Sequence, residues 1–348
     1  MTQSENQPFL LVTFPVDLGN RTYETNLNSL LGDCCEHHRF AADQADNLEK
    51  GIDYRRNLRD RMRGAAKLRS IVKKATSQNK KILFHGISPA LFSFGSWKRS
   101  QTCIVLDWTR CLYPRTLGEK NRKTMVWHAH RMVLNSCRKI LCMTQAARES
   151  VILDYEIEES RTCVVPAPFD LASLSMPPRI TPASPRFLFM GGDLFRKGGD
   201  ILIEAVKNGR IPHGVLTMAT NDPSADIPGI SYRSNIKFGT PEHRSLFESH
   251  DVFVLPTRMD SFPQVVGEAA AMGLTVITTK YALGAPQIIQ NELSGYITEN
   301  PADIINLILR LREDPSKIDA MKNLIYHHMI QNFSKENIRA SYLTEPWK

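Results

Sequence analysis

The sequence lacks the features that would place it outside the cytoplasm. It has no window of about eighteen uninterrupted apolar residues, the length that a membrane-spanning helix needs, and it begins with the polar stretch MTQSENQPF. Its seven cysteines are an odd number without a CxxC pair, which is typical of reduced thiols rather than of a disulfide framework. These absences predict a cytoplasmic protein without a transmembrane segment.

Motifs for common cofactors are also missing. The chain has neither the GxGxxG spacing of a dinucleotide fold nor the GxxxxGK[ST] spacing of a P-loop. It has no DxD-type cluster, no Cys/His spacing typical of a metal site and no recognisable motif for DNA or RNA binding. The sequence therefore predicts no metal, no bound cofactor and no nucleic-acid partner.

What is present fits a two-domain α/β protein. The 348 residues are 42% hydrophobic and 23% charged, which is enough for two globular cores. Short apolar, β-rich runs alternate with helical patterns, as in doubly wound parallel sheets. The predicted strands are 9–16, 81–85, 103–106, 139–143 and 163–166 in the first half, and 186–190, 215–219, 230–238, 251–255, 275–279 and 295–298 in the second.

A stretch rich in Pro and Ser, 171–186, separates the two halves and is predicted to be a linker. We expect a first domain over 1–170, a second over 187–330 and a C-terminal helix over 331–348. Tyr342 and Trp347 would anchor this helix against the first domain. Since ligands bind beyond the carboxyl ends of the strands in such sheets, a cleft between two facing sheets is the predicted active site.

The net positive charge comes entirely from the first half. Residues 1–170 have 26 Lys and Arg against 18 Asp and Glu, whereas residues 171–348 have 18 of each. Much of the excess lies in 55–81, where apolar residues recur at helical spacing and basic residues occupy the other face. This pattern predicts either a solvated face over the domain core or a surface for anionic lipids or an anionic acceptor.

The stretch 251–273, DVFVLPTRMDSFPQVVGEAAAMG, has the most informative pattern of the chain. A short apolar run predicts a buried strand, a polar loop follows, and a helix is expected to begin near Pro263 with Asp260 or Ser261 as its N-cap. The amides of such a helix start attract phosphate or sugar hydroxyls. Asp260 and Glu268 would lie roughly 12 Å apart along the helix axis, so they would contact different parts of one ligand. Alternatively, Asp260 is only an N-cap and Glu268 a solvated helix residue.

A second loop with suitable chemistry follows the predicted strand 186–190. It reads GGDLFRKGG over 191–199, and a helix comes directly after it. Its glycines would let the backbone approach a phosphate, and Lys197 would add a positive charge. An ordinary strand-to-helix turn explains the same letters.

Three stretches together resemble one family. These are FLFMGGDLFRKGGDILIEAV at 187–206, the run 250–273, and GAPQIIQNELSGYIT at 284–298. Their content, order and spacing are similar to the donor-binding half of the retaining glycosyltransferases of family four. The resemblance covers roughly 140–300. It implies the GT-B fold, in which two Rossmann-like domains face a central cleft and a C-terminal helix crosses back to the first domain.

The resemblance also implies roles for residues of the second domain. Glu268 would hold the ribose hydroxyls of a nucleoside-diphosphate sugar, and Asp260, where the family usually has Glu, would contact the transferred sugar. Lys197 matches the lysine that neutralises the diphosphate. Gly192 replaces the usual Arg, and Arg196 is a candidate for the missing charge. The amides near the start of the helix would approach the sugar and the diphosphate at Ser261, Phe262 and Pro263.

The first domain matches the family less well. Gly19 is the candidate for close approach to the diphosphate, and Asn20 and Arg21 lie on the acceptor side. Asp107 stands where many relatives have a histidine after a strand, although a turn cap is an equal alternative. His85, at the end of the predicted strand 81–85, would line the cleft or be structural.

The implied reaction is transfer of a hexose-type sugar with retention to a glycan, lipid-linked or other hydroxyl acceptor, without a divalent ion. The family's reaction is described as front-side attack in which the leaving diphosphate helps to deprotonate the acceptor. The catalytic candidates are Asp260, Lys197 and Asp107. A GT-B-like sugar-nucleotide epimerase or phosphorylase, and a catalytically silent nucleotide-sugar-binding protein, remain as alternatives. The expected location is the cytoplasm, with the basic segment 55–81 giving peripheral contact with the inner face of the membrane.

Overall fold

The structure is a computed structural model that describes residues 7–14, 18–40, 58–116, 118–119 and 123–348. The chain divides into two compact units. The first comprises Met1–Val165 together with Arg339–Lys348, and the second comprises Pro166–Ile338.

The first unit is built on a parallel sheet of six strands in the order β2-β1-β3-β4-β5-β6. Its central strands are fully buried because they are continuous apolar runs, as in a sheet covered on both faces. The strands are β1 Phe9–Thr13, β2 Cys35–Arg39, β3 Lys81–His85, β4 Thr102–Leu106, β5 Lys139–Cys142 and β6 Thr162–Val164. The helices are α1 Leu18–Leu31, α2 Leu58–Ser77, α3 Ile87–Phe92, α4 Leu112–Thr116, α5 Met125–Asn135 and α6 Gln145–Leu153.

The second unit repeats this plan with six parallel strands in the order β12-β11-β10-β7-β8-β9. The strands are β7 Phe187–Met190, β8 Leu216–Ala219, β9 Ile230–Arg233, β10 Val252–Leu255, β11 Thr275–Thr279 and β12 Gly295–Thr298. The helices are α7 Leu171–Leu174, α8 Gly199–Lys207, α9 Pro241–Glu248, α10 Gln264–Ala271, α11 Asp303–Glu313, α12 Ser316–Asn332 and α13 Lys335–Leu343, of which Arg339 onward belongs to the first unit. Two α/β sheets in tandem, as predicted, are confirmed.

The stretch 171–186 belongs to the second unit and packs against it. The Met176 amide donates to the Ala271 carbonyl at 3.1 Å. A buried ion pair also ties the stretch to the sheet: Lys322 of α12 and Arg179 both donate to Asp251 at 3.0 Å. Asp251 is fully buried and Lys322 is 1% exposed, so the carboxylate depends on these donors. Although this stretch is rich in proline, it is therefore packed on the second unit.

The last ten residues pack on the first unit. Tyr342 is fully buried, and its hydroxyl lies 3.1 Å from that of Tyr23 on α1. The Trp347 ring meets Phe9 of β1 edge-on, with 5.9 Å between ring centroids. Arg138 donates to the carbonyl of Trp347 at 3.2 Å. Both aromatic residues that were expected to anchor the C-terminal segment thus contact the first unit.

The helices of the described residues contain no candidate for crossing a membrane. Within the described ranges, none is both long and apolar enough to span a bilayer.

Candidate functional site

Two loops of the second unit leave the sheet side by side. β7 pairs with β10 in parallel, with Phe187 opposite Val252. Because parallel strands end at the same edge, the loop after β7 and the loop after β10 both emerge at the carboxyl edge of the sheet. This is the edge at which the sequence places the donor-binding residues.

The two loops are joined by backbone contacts. The Arg258 amide and the Thr257 hydroxyl both donate to the Arg196 carbonyl, at 2.8 and 3.1 Å. Gly198 adopts a left-handed conformation with φ +76°, and a Cβ there would lie 1.9 Å from the Pro256 carbonyl oxygen. Gly198 is therefore required for the packing of one loop on the other. The sequence had suggested a different role for the glycines of this loop, namely to let the backbone approach a phosphate. Gly192, by contrast, is exposed just after β7.

Three predicted residues come together where these loops meet. The Lys197 ammonium forms a short ion pair with Asp260 Oδ2. The Arg196 guanidinium lies 3.5 Å from the same oxygen and donates to the Met259 carbonyl at 3.0 Å. Asp193 holds the other side of Arg196, at 3.2 Å. The side chains of Lys197 and Asp260 are only 14% and 11% exposed, so two cations converge on one half-enclosed carboxylate.

The helix after this cluster begins later than the sequence predicts. α10 starts at Gln264, and Pro263 occupies the N-cap position without a side-chain cap. Asp260 instead belongs to a loop whose backbone bonds with Tyr281 and Leu283, at 2.9 Å each. The prediction that Asp260 or Ser261 caps the helix is wrong, because the chain must first pair with the segment after β11. Ser261, the residue after Asp260, is half-buried.

Phe262 is a packing residue in this structure. Its side chain is 6% exposed, and a Cβ on Gly284 would lie 2.3 Å from its ring. Its centroid lies 6.2 Å from that of Phe169. Phe262 is one of the three residues expected near the sugar and the diphosphate. Because its side chain is used in packing, its backbone is the part that would contact a ligand.

Glu268 lies in the second turn of α10 and is 3% exposed. Its Oε2 is 3.3 Å from Nε2 of His243, which is equally buried. The alternative that Glu268 is a solvated helix residue is thus wrong. His243 was not predicted, because nothing in a single sequence links a histidine on α9 to a glutamate on α10.

Candidate residues of the first unit cluster at the carboxyl ends of β3 and β4. His85 ends β3, is 5% exposed and stacks on Tyr23 at a centroid distance of 4.4 Å. Asp107 directly follows β4 and is half-buried. Burial, then Tyr342 and then the Asp107 charge raise the pKa of Tyr23 well above its usual value, which keeps the phenol neutral. Gly19 falls in the first turn of α1, whereas 15–17 lie outside the described residues.

Among the residues that the structure describes, no three His, Cys, Asp or Glu side chains are grouped as a metal site would require.

Comparison with known proteins places this geometry in a family context. Residues 184–314, which contain the two loops, α9 and α10, match the family Glycosyl transferases group 1. A search of curated proteins found no match.

Several solved structures have the same fold over nearly the whole chain. HepE of Anabaena in complex with UDP has a TM-score of 0.69 at 13% identity, over 95% of this chain and 97% of that chain. A glycosyltransferase from Rickettsia africae has 0.70 at 15% identity, over 98% of each chain. Sucrose-phosphate synthase from Thermosynechococcus elongatus has 0.71 at 15% identity, over 96% of each chain. These likenesses confirm the predicted GT-B class of two α/β domains, and the similarity to group 1 glycosyl transferases covers 184–314.

Proposed function

We propose that this protein is a retaining glycosyltransferase of family four that moves a hexose-type sugar from a nucleoside-diphosphate sugar to a hydroxyl acceptor. The observation that carries the proposal is the convergence of Lys197, Arg196 and Asp260 at the carboxyl edge of the second sheet, with a buried Glu268 on the adjoining helix. This cluster lies within the segment that matches group 1 glycosyl transferases. The complex of HepE with UDP supports uridine nucleotides as the first donors to test.

The charges suit the departure of a diphosphate. Lys197 and Arg196 are held by Asp260 and Asp193, so they are oriented before a ligand arrives. Oriented cations in a partly enclosed site stabilise the negative charge that develops on a leaving diphosphate. The backbone around Gly192 and at Ser261, Phe262 and Pro263 lies in the same two loops and would contact the donor.

Asp260 has a second role in this proposal. Its carboxylate accepts from both cations, and a diphosphate that takes over those cations leaves the carboxylate available to the hydroxyls of the transferred sugar. Glu268 would accept from the ribose hydroxyls at the other end of the donor. In the first domain, Asp107 is the proposed catalytic group on the acceptor side, and Gly19 the proposed point of close backbone approach.

The basic helix α2 favours binding to an anionic surface, which would be an additional partner. Its side chains Arg63, Lys67, Arg69, Lys73 and Lys74 are exposed, and the sequence has no acidic residue from 63 to 77. A cavity of about 590 Å³ beside α2 is lined by Arg69, Lys73, Trp97 and Lys98. We propose that this surface holds the enzyme peripherally at the cytoplasmic face of an anionic membrane, where a lipid-linked or glycan acceptor would be available.

The experiment is a thermal-shift panel of nucleotide sugars, starting with UDP-glucose, followed by assays for nucleoside diphosphate release and for the glycosylated product. We expect one donor to stabilise the protein and turnover to persist with a chelator. Arg196→Ala should raise the donor KM at least tenfold, because a charge-assisted contact is lost, while Arg312→Ala, an exposed arginine on α11, should not.

The same assays separate the alternatives. Conversion of one nucleotide sugar into its stereoisomer without diphosphate release would indicate an epimerase. Stabilisation by a donor without turnover against a range of acceptors would indicate a silent binding protein. An inverted anomeric centre in the product would reject retention. Turnover abolished by the chelator would reject metal independence.

A further inference from the structure

The buried contact between His243 and Glu268 has a consequence for donor binding that rests on the proposed function. Glu268 is 3% exposed, and a carboxylate removed from water needs hydrogen-bond donors around it. Within the residues that the structure describes, His243 Nε2, at 3.3 Å from Oε2, is the one basic side-chain nitrogen that pairs with this carboxylate. The Glu268 side chain keeps 5% of its surface accessible.

The imidazole is held firmly in place. Its backbone amide donates to Oγ1 of Thr240, the N-cap of α9, at 3.3 Å. Its ring contacts Phe238 and Phe247 edge-on, with centroid distances of 5.4 and 5.1 Å. Phe247 in turn packs on Phe253 of β10, with 6.2 Å between centroids. An aromatic pair and a helix cap therefore fix the ring that contacts Glu268.

A fixed donor on one oxygen orients the whole carboxylate. With its proton on Nε2, the His243 ring can donate to Oε2, which lies 3.3 Å away. A carboxylate that is already ordered in this way loses less side-chain entropy when a ligand binds. Oε1 then remains to accept from a hydroxyl of the ligand. Neighbouring hydroxyls of a ribose are donors of the right kind for such a carboxylate.

We infer that His243 is a positioning residue for nucleotide recognition, which holds the Glu268 carboxylate so that it accepts from the ribose hydroxyls of the donor. It acts through Glu268 and touches neither the sugar that moves nor the diphosphate. A purely structural histidine would stabilise the fold without changing how the site distinguishes a ribose from a deoxyribose.

The test measures that distinction directly. Dissociation constants of UDP and GDP, and of their 2′-deoxy and 3′-deoxy analogues, are measured by calorimetry for the wild-type full chain and three variants. A site built to hydrogen-bond a hydroxyl rejects the analogue that lacks it, so we expect the wild type to bind at least one deoxy analogue about tenfold more weakly or worse. His243→Phe keeps the ring volume without a donor, and its discrimination should fall to about twofold, whereas His243→Gln, which keeps an N–H, should recover part of it.

Controls separate a positioning effect from loss of folding. His243→Leu, which also lacks a donor, replaces the Phe variant if that protein does not fold. His327→Phe, at an exposed position on α12, should bind like the wild type.

Two outcomes overturn different claims. If the donor-free variant keeps the wild-type preference for ribose, or if the wild type binds nucleoside diphosphates without any such preference, the inference is wrong and the proposed function stands. If the wild type binds neither UDP nor GDP, and no nucleoside diphosphate with another base, the proposed function fails and the inference fails with it.

Discussion

Asp260 is the carboxylate on which two cations of the candidate site converge. An aspartate reaches one methylene less far than the glutamate of the family pattern, and here its Oδ2 meets Lys197 and Arg196. Arg196 is anchored on Asp193 and on the Met259 carbonyl, so its position depends on local contacts rather than on Asp260 alone. Arg196, four residues after Gly192 in the same loop, is therefore the residue that we propose for the charge missing at Gly192.

His250, the residue before Asp251, predicts a pH dependence of stability. Its Nδ1 donates to the Leu246 carbonyl at 2.5 Å, and its Nε2 accepts from the Thr217 hydroxyl at 2.7 Å. Burial lowers the pKa of His250 from 6.5 to about 4. Between pH 6.5 and 4, His250 is protonated in the unfolded chain but neutral in the native protein. The free energy of unfolding therefore decreases as the pH falls from 6.5 towards 4, and His250 has no such effect above that range.

The size of the effect can be measured by urea unfolding. Between about pH 7.5 and about pH 5, His250 should account for about 2 kcal/mol of lost stability. His250→Gln should therefore lose about that much less than the wild type over the same interval. His327→Gln, an exposed histidine, should behave as the wild type does. Equal losses in the wild type and His250→Gln would contradict the assignment.

At the scale of elements, α2 combines a core face with a cationic face. Leu68 and Val72 are fully buried under the helix, while Arg69 and Lys73 beside them are exposed. In the part of the chain that the structure describes, neither cation pairs with a carboxylate. The helix therefore has the amphipathic character that its sequence predicts, and its charges are available to an external anion.

This face makes a testable prediction about membranes. Arg69→Gln with Lys73→Gln should weaken sedimentation with phosphatidylserine vesicles about thirtyfold, since each basic residue near an anionic surface contributes about 1 kcal/mol. Lys207→Gln with Lys237→Gln, two exposed lysines of the second unit, is the matched control and should bind as the wild type does. Equal sedimentation of both double variants, or binding to neutral phosphatidylcholine vesicles alone, would contradict the proposed surface.

The elements also show what a sequence can and cannot reveal. Buried strands such as β4 and β10 were predicted because their burial demands continuous apolar runs. The edge strand β2, CEHHR, was not predicted. It pairs with a neighbour on one side only and its side chains are partly exposed, so it does not need a continuous apolar run. The predicted strand 230–238 ends at Arg233 for a similar reason, since its polar remainder has no neighbour to pair with among the described strands.

At the site, local patterns identified residues but not their partners. Lys197 and Asp260 were both predicted, yet their ion pair depends on β7 and β10 being neighbours in the sheet. His243 was out of reach for the same reason, because its role depends on α9 packing near α10. Proximity of this kind is a property of topology, which a single sequence encodes only indirectly.

For the whole molecule, the return of the chain to the first unit is the main feature. Tyr342 lies in the last ten residues and is as deeply buried as any residue of the sheet. Tyr342→Ala should therefore destabilise the first unit by about 3–5 kcal/mol, the usual cost of removing a buried aromatic ring. Tyr342→Phe, which loses the contact with the Tyr23 hydroxyl but keeps the ring, should cost about 1 kcal/mol.

Hydrogen exchange followed by mass spectrometry would locate the effect. Peptides from the strands of the first unit should exchange faster in Tyr342→Ala, while those from 166–338 should be unchanged. Tyr113→Ala, a half-exposed tyrosine of the first unit, should leave both patterns as they are. Faster exchange confined to the second unit would contradict this account.

The return also bears on how the protein is made. Since residues 339–348 complete the first unit, that unit cannot be finished until the ribosome has synthesised all of the second. Domains generally fold in the order in which they leave the ribosome. Here the second unit is the first to have its whole sequence available. The first unit, although most of it is synthesised earlier, cannot bury Tyr342 until the second unit has been synthesised.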